Sequence, residues 1–136
     1  MSGNYELHEK LATDTIELGQ MMLSDVRVMN DRRFPWLVLI PRRGGLTGLH
    51  QMERTDHLLL MQEITKLSKL METTFATDRI NVGALGNIVP QLHIHIVART
   101  EGDPAWPGPV WGAGTPAPYG EEEPQLKKIR DAFEGL

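Results

Sequence analysis

The sequence predicts an α+β fold in which an antiparallel sheet carries helices on one face and leaves the other face open. Two pairs of short apolar runs, each joined by a polar or glycine-containing turn, indicate two hairpins. A long amphipathic stretch separates these pairs, and shorter amphipathic stretches lie near both ends of the chain. This order of elements favours a sheet built from hairpins rather than from parallel crossover units.

The composition excludes several classes of protein. At 136 residues the chain is long enough to fold as one domain without disulfides or a structural metal. It has no cysteine, which excludes thiolate catalysis and Cys-ligated zinc and fits the cytoplasm. A formal net charge of −4 argues against a nucleic-acid coat protein, and no segment has the length or flanks of a signal peptide or membrane span. A small anionic ligand remains compatible with these features.

The first half of the chain predicts a helix, a hairpin and a longer helix. Apolar residues among charges indicate an amphipathic N-terminal helix within residues 1–20, ending near Gly19. Val26 to Met29 and Trp36 to Ile40 read as strands joined by a polar turn. A strong helix is expected from Met52 to Phe75, where an apolar stripe recurs at helical spacing and could serve as core or as a dimer interface. The stripe comprises Leu60, Ile64, Leu67, Met71 and Phe75.

The second half predicts another hairpin, an ordered loop and a terminal helix. Strands are expected at Arg79 to Ala84 and at Gln91 to Arg99. Residues 102–120 are rich in Pro and Gly but contain Trp106 and Trp111, which favours a packed loop over a flexible linker. The tryptophans are expected to anchor this loop more readily than to stack on a base. Residues 121–136 predict a C-terminal helix with acidic residues near its start.

The stretch VPQLHIHIVAR carries the clearest chemical signal. Successive side chains of a strand point to opposite faces, so Gln91, His93 and His95 share one face and the aliphatic residues between them share the other. Three interpretations compete for the histidines. They could be partly exposed residues without a role, or ligands of a metal ion with a third histidine. They could also supply an imidazole nucleophile whose second nitrogen is fixed by a hydrogen bond. The histidines available as a third metal ligand are His8, His50 and His57.

IVPQLHIHIVAR, preceded by INVGALGN and by the hairpin FPWLVLIPRR, resembles the histidine triad (HIT) superfamily of nucleotide hydrolases and transferases. Its signature is His-φ-His-φ-His-φ-φ, where φ is apolar. The likeness runs from Val26 to Trp106 and Pro107 and is closest to a bacterial HIT-like hydrolase group. It implies a single HIT-like domain over residues 1–136, with about five antiparallel strands and with the long helix and shorter terminal helices packed on one face.

The resemblance also implies roles for individual residues. His93, at the middle of the signature, matches the nucleophile that attacks the α-phosphate of a nucleotide, and His95 matches the residue that stabilises charge near that phosphate. Asn81 matches an asparagine on the preceding strand. Gly86 and Asn87 occupy the turn that contacts phosphate oxygens or the leaving group.

The family places an Asn or Asp that holds the ribose hydroxyls at the position of Asn30 or Asp31. Both residues are also ordinary hairpin-turn residues, as are Gly86 and Asn87. The chain departs from the family pattern at two positions. Gln91 replaces the first signature histidine and would support the site without taking up a proton. Trp36 stands where the family often has histidine.

The resemblance implies an enzyme that needs no metal or other cofactor and cleaves a nucleoside phosphoramidate, a dinucleoside polyphosphate or a related nucleotide through a nucleotidyl-histidine. It implies a homodimer whose partner molecules are small nucleotides rather than nucleic acid or membrane. The alternatives are a metal-dependent hydrolase or metal-binding module that uses His93 and His95, and a nucleotide-binding module without turnover.

Overall fold

The computed structural model describes residues 4–136 and confirms the α+β class. Five strands form one antiparallel sheet in the order β1-β2-β3-β5-β4. In chain order the elements are α1 (Glu9–Asp14), β1 (Thr15–Gln20), β2 (Ser24–Met29), β3 (Trp36–Pro41), a 3-10 turn (Leu49–Gln51), α2 (Arg54–Thr74), β4 (Arg79–Gly83), β5 (Ile94–Arg99) and α3 (Pro124–Glu134). No helix among residues 4–136 combines the length and the apolar character that a membrane span requires.

The N-terminal region differs from the helix predicted within residues 1–20, of which 1–3 lie outside the described residues. Only Glu9–Asp14 is helical, and Thr15–Gln20 forms the edge strand β1, paired with β2. The apolar residues that suggested one helical face serve two different layers. Leu7 and Leu11 pack on one face of the sheet, whereas Ile16 and Leu18 pack on the other. These residues therefore have helical spacing in the sequence although they do not lie on one helix.

The first face of the sheet packs against α2 and α3. Leu37 and Leu39 of β3 and Ile94 and Ile96 of β5 contact the buried side of α2 in one apolar cluster. The apolar stripe of α2 is therefore part of the intramolecular core, because Leu67 is fully buried and its neighbours in the stripe belong to the same cluster. Truncating such a residue to alanine typically costs about 2–5 kcal/mol.

The second face of the sheet is covered, which corrects the expectation that the histidine side is open. Trp36 and Val38 of β3 and Val97 of β5 form a second apolar cluster. Leu11 of α1 and Val110 of the loop that follows β5 cover it. The terminal helices thus lie on opposite faces, since α3 packs with α2. The centre of the sheet is covered on both faces, because every residue of β3 and β5 is buried.

A buried ion pair ties the loop after β5 to the sheet. Arg99 is 2% exposed and donates from Nε to Oδ2 of Asp103 at 2.6 Å. Its other nitrogens donate to Oδ1 of Asn81 and to the carbonyl oxygen of Gly108. Burial acts to raise the pKa of the Asp103 carboxyl, but donation from Arg99 and from the amides of Ala105 and Trp106 holds that pKa below its usual range. The loop is therefore anchored beside the second face.

Candidate active site

His93 and His95 line a cavity of about 460 Å³ on the second face of the sheet. Besides the histidines, four separate parts of the chain form its walls: α1, the first hairpin at residues 29–36, the turn at residues 85–89 and the loop at residues 110–116. Both histidines are largely buried, and their ring centroids lie 4.9 Å apart at an interplanar angle of 71°. The sequence alternation thus brings the pair together, but inside a walled cavity rather than on an open surface.

The protonation of His93 follows from its hydrogen bond to Gln91. Nδ1 of His93 lies 2.7 Å from the backbone carbonyl oxygen of Gln91. A carbonyl oxygen only accepts, so Nδ1 carries a hydrogen, and in the neutral ring Nε2 is then the nitrogen with a free lone pair. The contact is possible because β5 begins at Ile94, three residues after Gln91 and not at Gln91 as predicted, which leaves this carbonyl outside the strand pairing.

His95 has the opposite tautomer, because its Nδ1 accepts a hydrogen bond instead of donating one. Nε1 of Trp36 donates to Nδ1 of His95 at 3.0 Å, and an indole nitrogen can only donate. Nδ1 of His95 is therefore the unprotonated nitrogen, and Nε2 carries the hydrogen. Burial, and to a smaller extent the charge of His93, lowers the pKa of His95 to about 3. At neutral pH His95 is thus a neutral hydrogen-bond donor.

A tryptophan from the loop covers His95. The rings of Trp111 and His95 are 5.4 Å apart and meet edge to face. Gly83 of β4 pairs directly with His95 across the sheet, and a Cβ atom there would lie 3.0 Å from Cη2 of Trp111. Glycine at this position therefore leaves the space that the indole occupies. Trp106, by contrast, lies against the guanidinium of Arg99.

The glycine-containing turn before β5 reaches the cavity as the sequence predicts. Gly86 and Asn87 both line it, beside the two histidines. Gly86 has a φ of +72°, in the left-handed region where a side chain is strained. The turn thus needs glycine to bring its backbone to the cavity.

Asn30 and Asp31 hold the loop after β5 in place at the end of the first hairpin strand. Oδ1 of Asn30 accepts from the amide of Tyr119 at 2.8 Å, and Oδ1 of Asp31 accepts from the amide of Ala117 at 3.3 Å. Asp31 lines the cavity, whereas Asn30 lines an adjoining depression. Burial acts to raise the pKa of the Asp31 carboxyl, but donation by Arg33 and backbone amides leaves it below its usual range.

Asn81 and the side chain of Gln91 lie away from the histidine rings. Oδ1 of Asn81 accepts from Nη1 of Arg99 at 2.9 Å, among the residues that anchor the loop. The side-chain amide of Gln91 bonds the N-terminal segment instead. Its Oε1 accepts from the amide of His8 at 2.7 Å, and its Nε2 donates to the carbonyl oxygen of Glu6 at 2.8 Å.

The described residues 4–136 contain no cluster of three or more His, Asp or Glu side chains suited to hold a metal ion. The three histidines considered as a third ligand complete no such cluster, although His50 lines a depression that His93 also borders. His8 caps α1, because its Nδ1 accepts from the amide of Lys10 at 3.0 Å. His50 lies in the 3-10 turn and His57 in α2, and both are exposed.

Several residues of the site escaped sequence analysis. Lys10, Arg33 and Trp111 line the cavity, and Gly83 makes room for one of them. Lys10 lay within the predicted N-terminal helix and was given no role, and Trp111 was regarded as a loop anchor. The signal that could have found Gly83 is a glycine inside a strand, which often marks a close approach by another group.

Comparison with solved structures gives close matches over nearly the whole chain. A histidine triad protein of Marinobacter aquaeolei VT8 is 44% identical, with a TM-score of 0.92 over 98% of this chain and 96% of that one. A histidine triad (HIT) protein of Sinorhizobium meliloti 1021 is 42% identical, with a TM-score of 0.91 over 97% of both chains. One from Bradyrhizobium japonicum is 38% identical, with a TM-score of 0.92 over 98% of both chains.

A search of curated proteins gave no match. The family model for the HIT domain matches residues 12–102, which is more than half of the chain and includes His93 and His95. The fold, the paired histidines and these matches agree, and the chain therefore belongs to the histidine triad (HIT) family.

Proposed function

We propose that this protein is a nucleotide hydrolase or nucleotidyl transferase that acts at the α-phosphate of a nucleoside phosphoramidate, a dinucleoside polyphosphate or a related nucleotide. The observation that carries the proposal is the 2.7 Å hydrogen bond between Nδ1 of His93 and the carbonyl oxygen of Gln91. In the neutral ring this contact places the hydrogen on Nδ1 and leaves the lone pair on Nε2, which is the state a nitrogen nucleophile requires. Membership of the HIT family supports the same class of reaction.

In the first step Nε2 of His93 attacks the α-phosphorus, and the bond from phosphorus to the leaving oxygen or nitrogen breaks. The leaving group takes the electron pair of that bond and, where it is an amine, a proton from solvent. The ring gains a phosphorus–nitrogen bond and a positive charge. The Nδ1 proton shared with the Gln91 carbonyl stabilises this charge, because the carbonyl dipole points its negative end at the ring. In the second step water attacks phosphorus and releases a proton to solvent, the phosphorus–nitrogen bond breaks with its electron pair returning to Nε2, and His93 is neutral again as the nucleoside monophosphate leaves.

His95 contributes a hydrogen bond rather than a proton. A neutral imidazole whose conjugate acid has a pKa of about 3 is almost fully deprotonated at neutral pH, so it carries no spare proton for the leaving group. Its Nε2–H can still donate to a phosphate oxygen as negative charge builds up there. Asp31, Gly86 and Asn87 line the same cavity and are the proposed nucleotide contacts, with Asn30 in the adjoining depression.

Trapping the intermediate tests this chemistry directly. Tryptic cleavage after Arg79 and Arg99 gives the peptide 80–99, which contains both histidines. After brief reaction with adenosine phosphoramidate or a dinucleoside polyphosphate and quenching in alkaline denaturant, we expect this peptide to carry a nucleotidyl group on His93. His93→Ala and His93→Gly should abolish both the adduct and turnover, and His57→Ala on an exposed face of α2 should change neither. Unchanged turnover in both His93 variants would refute the proposal.

Binding without chemistry is the alternative that this experiment separates. Nucleotide binding in calorimetry, together with no adduct on peptide 80–99, would identify a nucleotide-binding module. Activity that chelators abolish, with metal found by elemental analysis, would identify a metal-dependent enzyme that uses His93 and His95.

We further propose that the protein acts as a homodimer. Strand β4 is an edge of the sheet, and Val82 in it and Leu85 and Ile88 after it are exposed apolar residues. An edge strand with apolar neighbours is suited to pair with a second copy. Light scattering should give twice the 15.3 kDa mass of one chain. Val82→Lys, which places a charge on the edge, should shift the mass toward that of the monomer.

A further inference from the structure

The N-terminal segment is connected to the proposed nucleophile by consecutive hydrogen bonds. Nδ1 of His93 bonds the carbonyl oxygen of Gln91, and Oε1 of Gln91 accepts from the amide of His8, each at 2.7 Å. Nδ1 of His8 then accepts from the amide of Lys10 at 3.0 Å. Three contacts therefore fix the backbone of Lys10 relative to the ring of His93.

Apolar packing reinforces this placement. Leu11 is 3% exposed and belongs to the second cluster, with Leu7 packed against it. The hydroxyl of Tyr5 donates to Oδ2 of Asp25 at 2.9 Å, at the other end of the segment. The start of α1 is therefore a fixed wall of the cavity, and Lys10 lines that cavity together with His93.

Among the described residues that line this cavity, the cationic side chains are Lys10 and Arg33. The guanidinium of Arg33 is already paired within the protein. Its Nε and Nη2 donate to the carboxylate of Asp31 at 3.0 and 2.8 Å, and its Nη1 donates to the carbonyl oxygen of Ala113 at 2.7 Å. Separating two largely buried charges of this kind costs free energy, because each would lose its counter-ion.

Lys10 is paired much more weakly. Its Nζ lies 3.0 Å from Oδ2 of Asp14, but the two side chains are 50% and 42% exposed. An exposed pair one helical turn apart contributes little and exchanges readily with other anions. Of these two cations among the described wall residues, Lys10 is therefore the one available to pair with an incoming phosphate.

We propose that Lys10 is a substrate-binding residue, which exchanges Asp14 for an anionic phosphate group of the nucleotide, and that the side chain of Gln91 positions it. Gln91, at the first signature position, thereby links two parts of the proposed site. Its side chain bonds the N-terminal segment that carries Lys10, and its backbone carbonyl bonds the ring of His93. This inference rests on the proposed function for the identity of the ligand, a nucleotide bound at His93.

Calorimetric titration with adenosine 5′-monophosphate at low salt tests the role of Lys10 without requiring turnover. Lys10→Met should raise the Kd about tenfold, the effect of losing one charge-assisted hydrogen bond. Asp14→Asn should lower the Kd, because it removes the competing anion. Lys127→Met is the matched control, since Lys127 pairs with Asp131 with the same i,i+4 spacing on α3; its Kd should equal that of the wild type.

The Kd should rise in Lys10→Met and fall in Asp14→Asn. These opposite changes distinguish a direct role of Lys10 in binding from a role in stabilising α1. If the ion pair only stabilised α1, both variants would weaken binding alike, and that result would overturn the proposal. A Kd for Lys10→Met equal to that of Lys127→Met would overturn it as well, as would the absence of any binding by the wild type. With unlabelled adenosine as a neutral ligand, Lys10→Met should have no effect.

A double-mutant cycle tests the part assigned to Gln91. Gln91→Ala should weaken binding of the monophosphate, and adding Lys10→Met to it should weaken binding by less than the full tenfold seen in the wild-type background. Fully additive effects would show that Gln91 does not position Lys10. Trapping on peptide 80–99 is measured in the same variants. An adduct that forms while Lys10→Met binds normally would refute the role of Lys10 and leave the proposed chemistry intact.

Discussion

The indole of Trp36 donates a hydrogen bond from Nε1 to Nδ1 of His95 at 3.0 Å, and both residues are buried. This single contact determines which nitrogen of His95 carries hydrogen, because the indole cannot accept. Trp36, which departs from the expected family pattern, therefore has a defined hydrogen-bond partner beside His93. The donor fixes the tautomer of its neighbour from across strands β3 and β5.

Replacing the indole tests this relationship. Trp36→Phe should leave the fold intact, lower the free energy of unfolding by about 1–3 kcal/mol and free Nδ1 of His95 to take up hydrogen. Nitrogen-15 NMR of the histidine rings should report Nε2–H at His95 in the wild type and a mixture of tautomers in the variant. Trp106→Phe, which alters a tryptophan beside Arg99, should leave the His95 signal unchanged. The same mixture in both variants would contradict our assignment.

The pH dependence of stability should report the burial of His95. Its pKa of about 3 in the folded protein lies below the ordinary value of 6.5. Between these values the unfolded chain binds a proton that the folded protein does not, so stability falls as the pH falls. From pH 7 to pH 5 the wild type should lose about 2 kcal/mol more than His95→Phe in urea unfolding. Equal losses in the two proteins would show that His95 titrates normally.

The pair formed by Arg99 and Asp103 should be essential for stability. Asp103→Asn keeps the shape of the side chain but leaves the guanidinium of Arg99 buried without its counter-ion, so the free energy of unfolding should drop by about 3–5 kcal/mol. Asp131→Asn, at the exposed partner of Lys127, should leave it unchanged. Chemical denaturation measures both. Equal free energies of unfolding in the two variants would show that the pair of Arg99 and Asp103 does not anchor the loop after β5.

Gly83 should be intolerant of a branched side chain because of Trp111. Gly83→Val places atoms where the indole lies and should cost about 1–3 kcal/mol of stability through overpacking. It should also displace Trp111 from His95, which near-ultraviolet circular dichroism detects, and weaken nucleotide binding. Gly102→Ala is the control, since nothing lies within 4 Å of the added Cβ atom. A native aromatic spectrum for Gly83→Val would contradict this account.

The sequence predicted those parts of the fold whose pattern is local. The hairpin of β2 and β3 and the helix α2 have continuous apolar runs or stripes, and both are confirmed. Strand β1 was missed because Leu11 and Ile16 serve opposite faces of the sheet. Similarly, alternation located His93 and His95, but the walls around them come from residues 80 or more positions apart in the chain, such as Arg33 and Ala113. No short-range pattern records such contacts.

Gln91 illustrates the same limit at a single position. As a departure from a signature it raised a question about proton transfer, but its backbone carbonyl and its side chain act separately. The carbonyl holds His93 whatever the side chain is, and the side chain is therefore free to bond Glu6 and His8. The physical role of such a residue depends on which of its groups is used, which only the structure reveals.

The cavity at His93 has walls from α1, the turn before β5 and the loop after it. It is therefore completed only when α1 and the loop at residues 110–116 have both docked on the sheet, so nucleotide affinity also reports whether these two segments are folded. A bound nucleotide should stabilise the chain by RT ln(1 + [L]/Kd) and should slow amide hydrogen exchange most strongly in these walls. Changes that destabilise the docking of either segment can consequently weaken binding without touching the ligand.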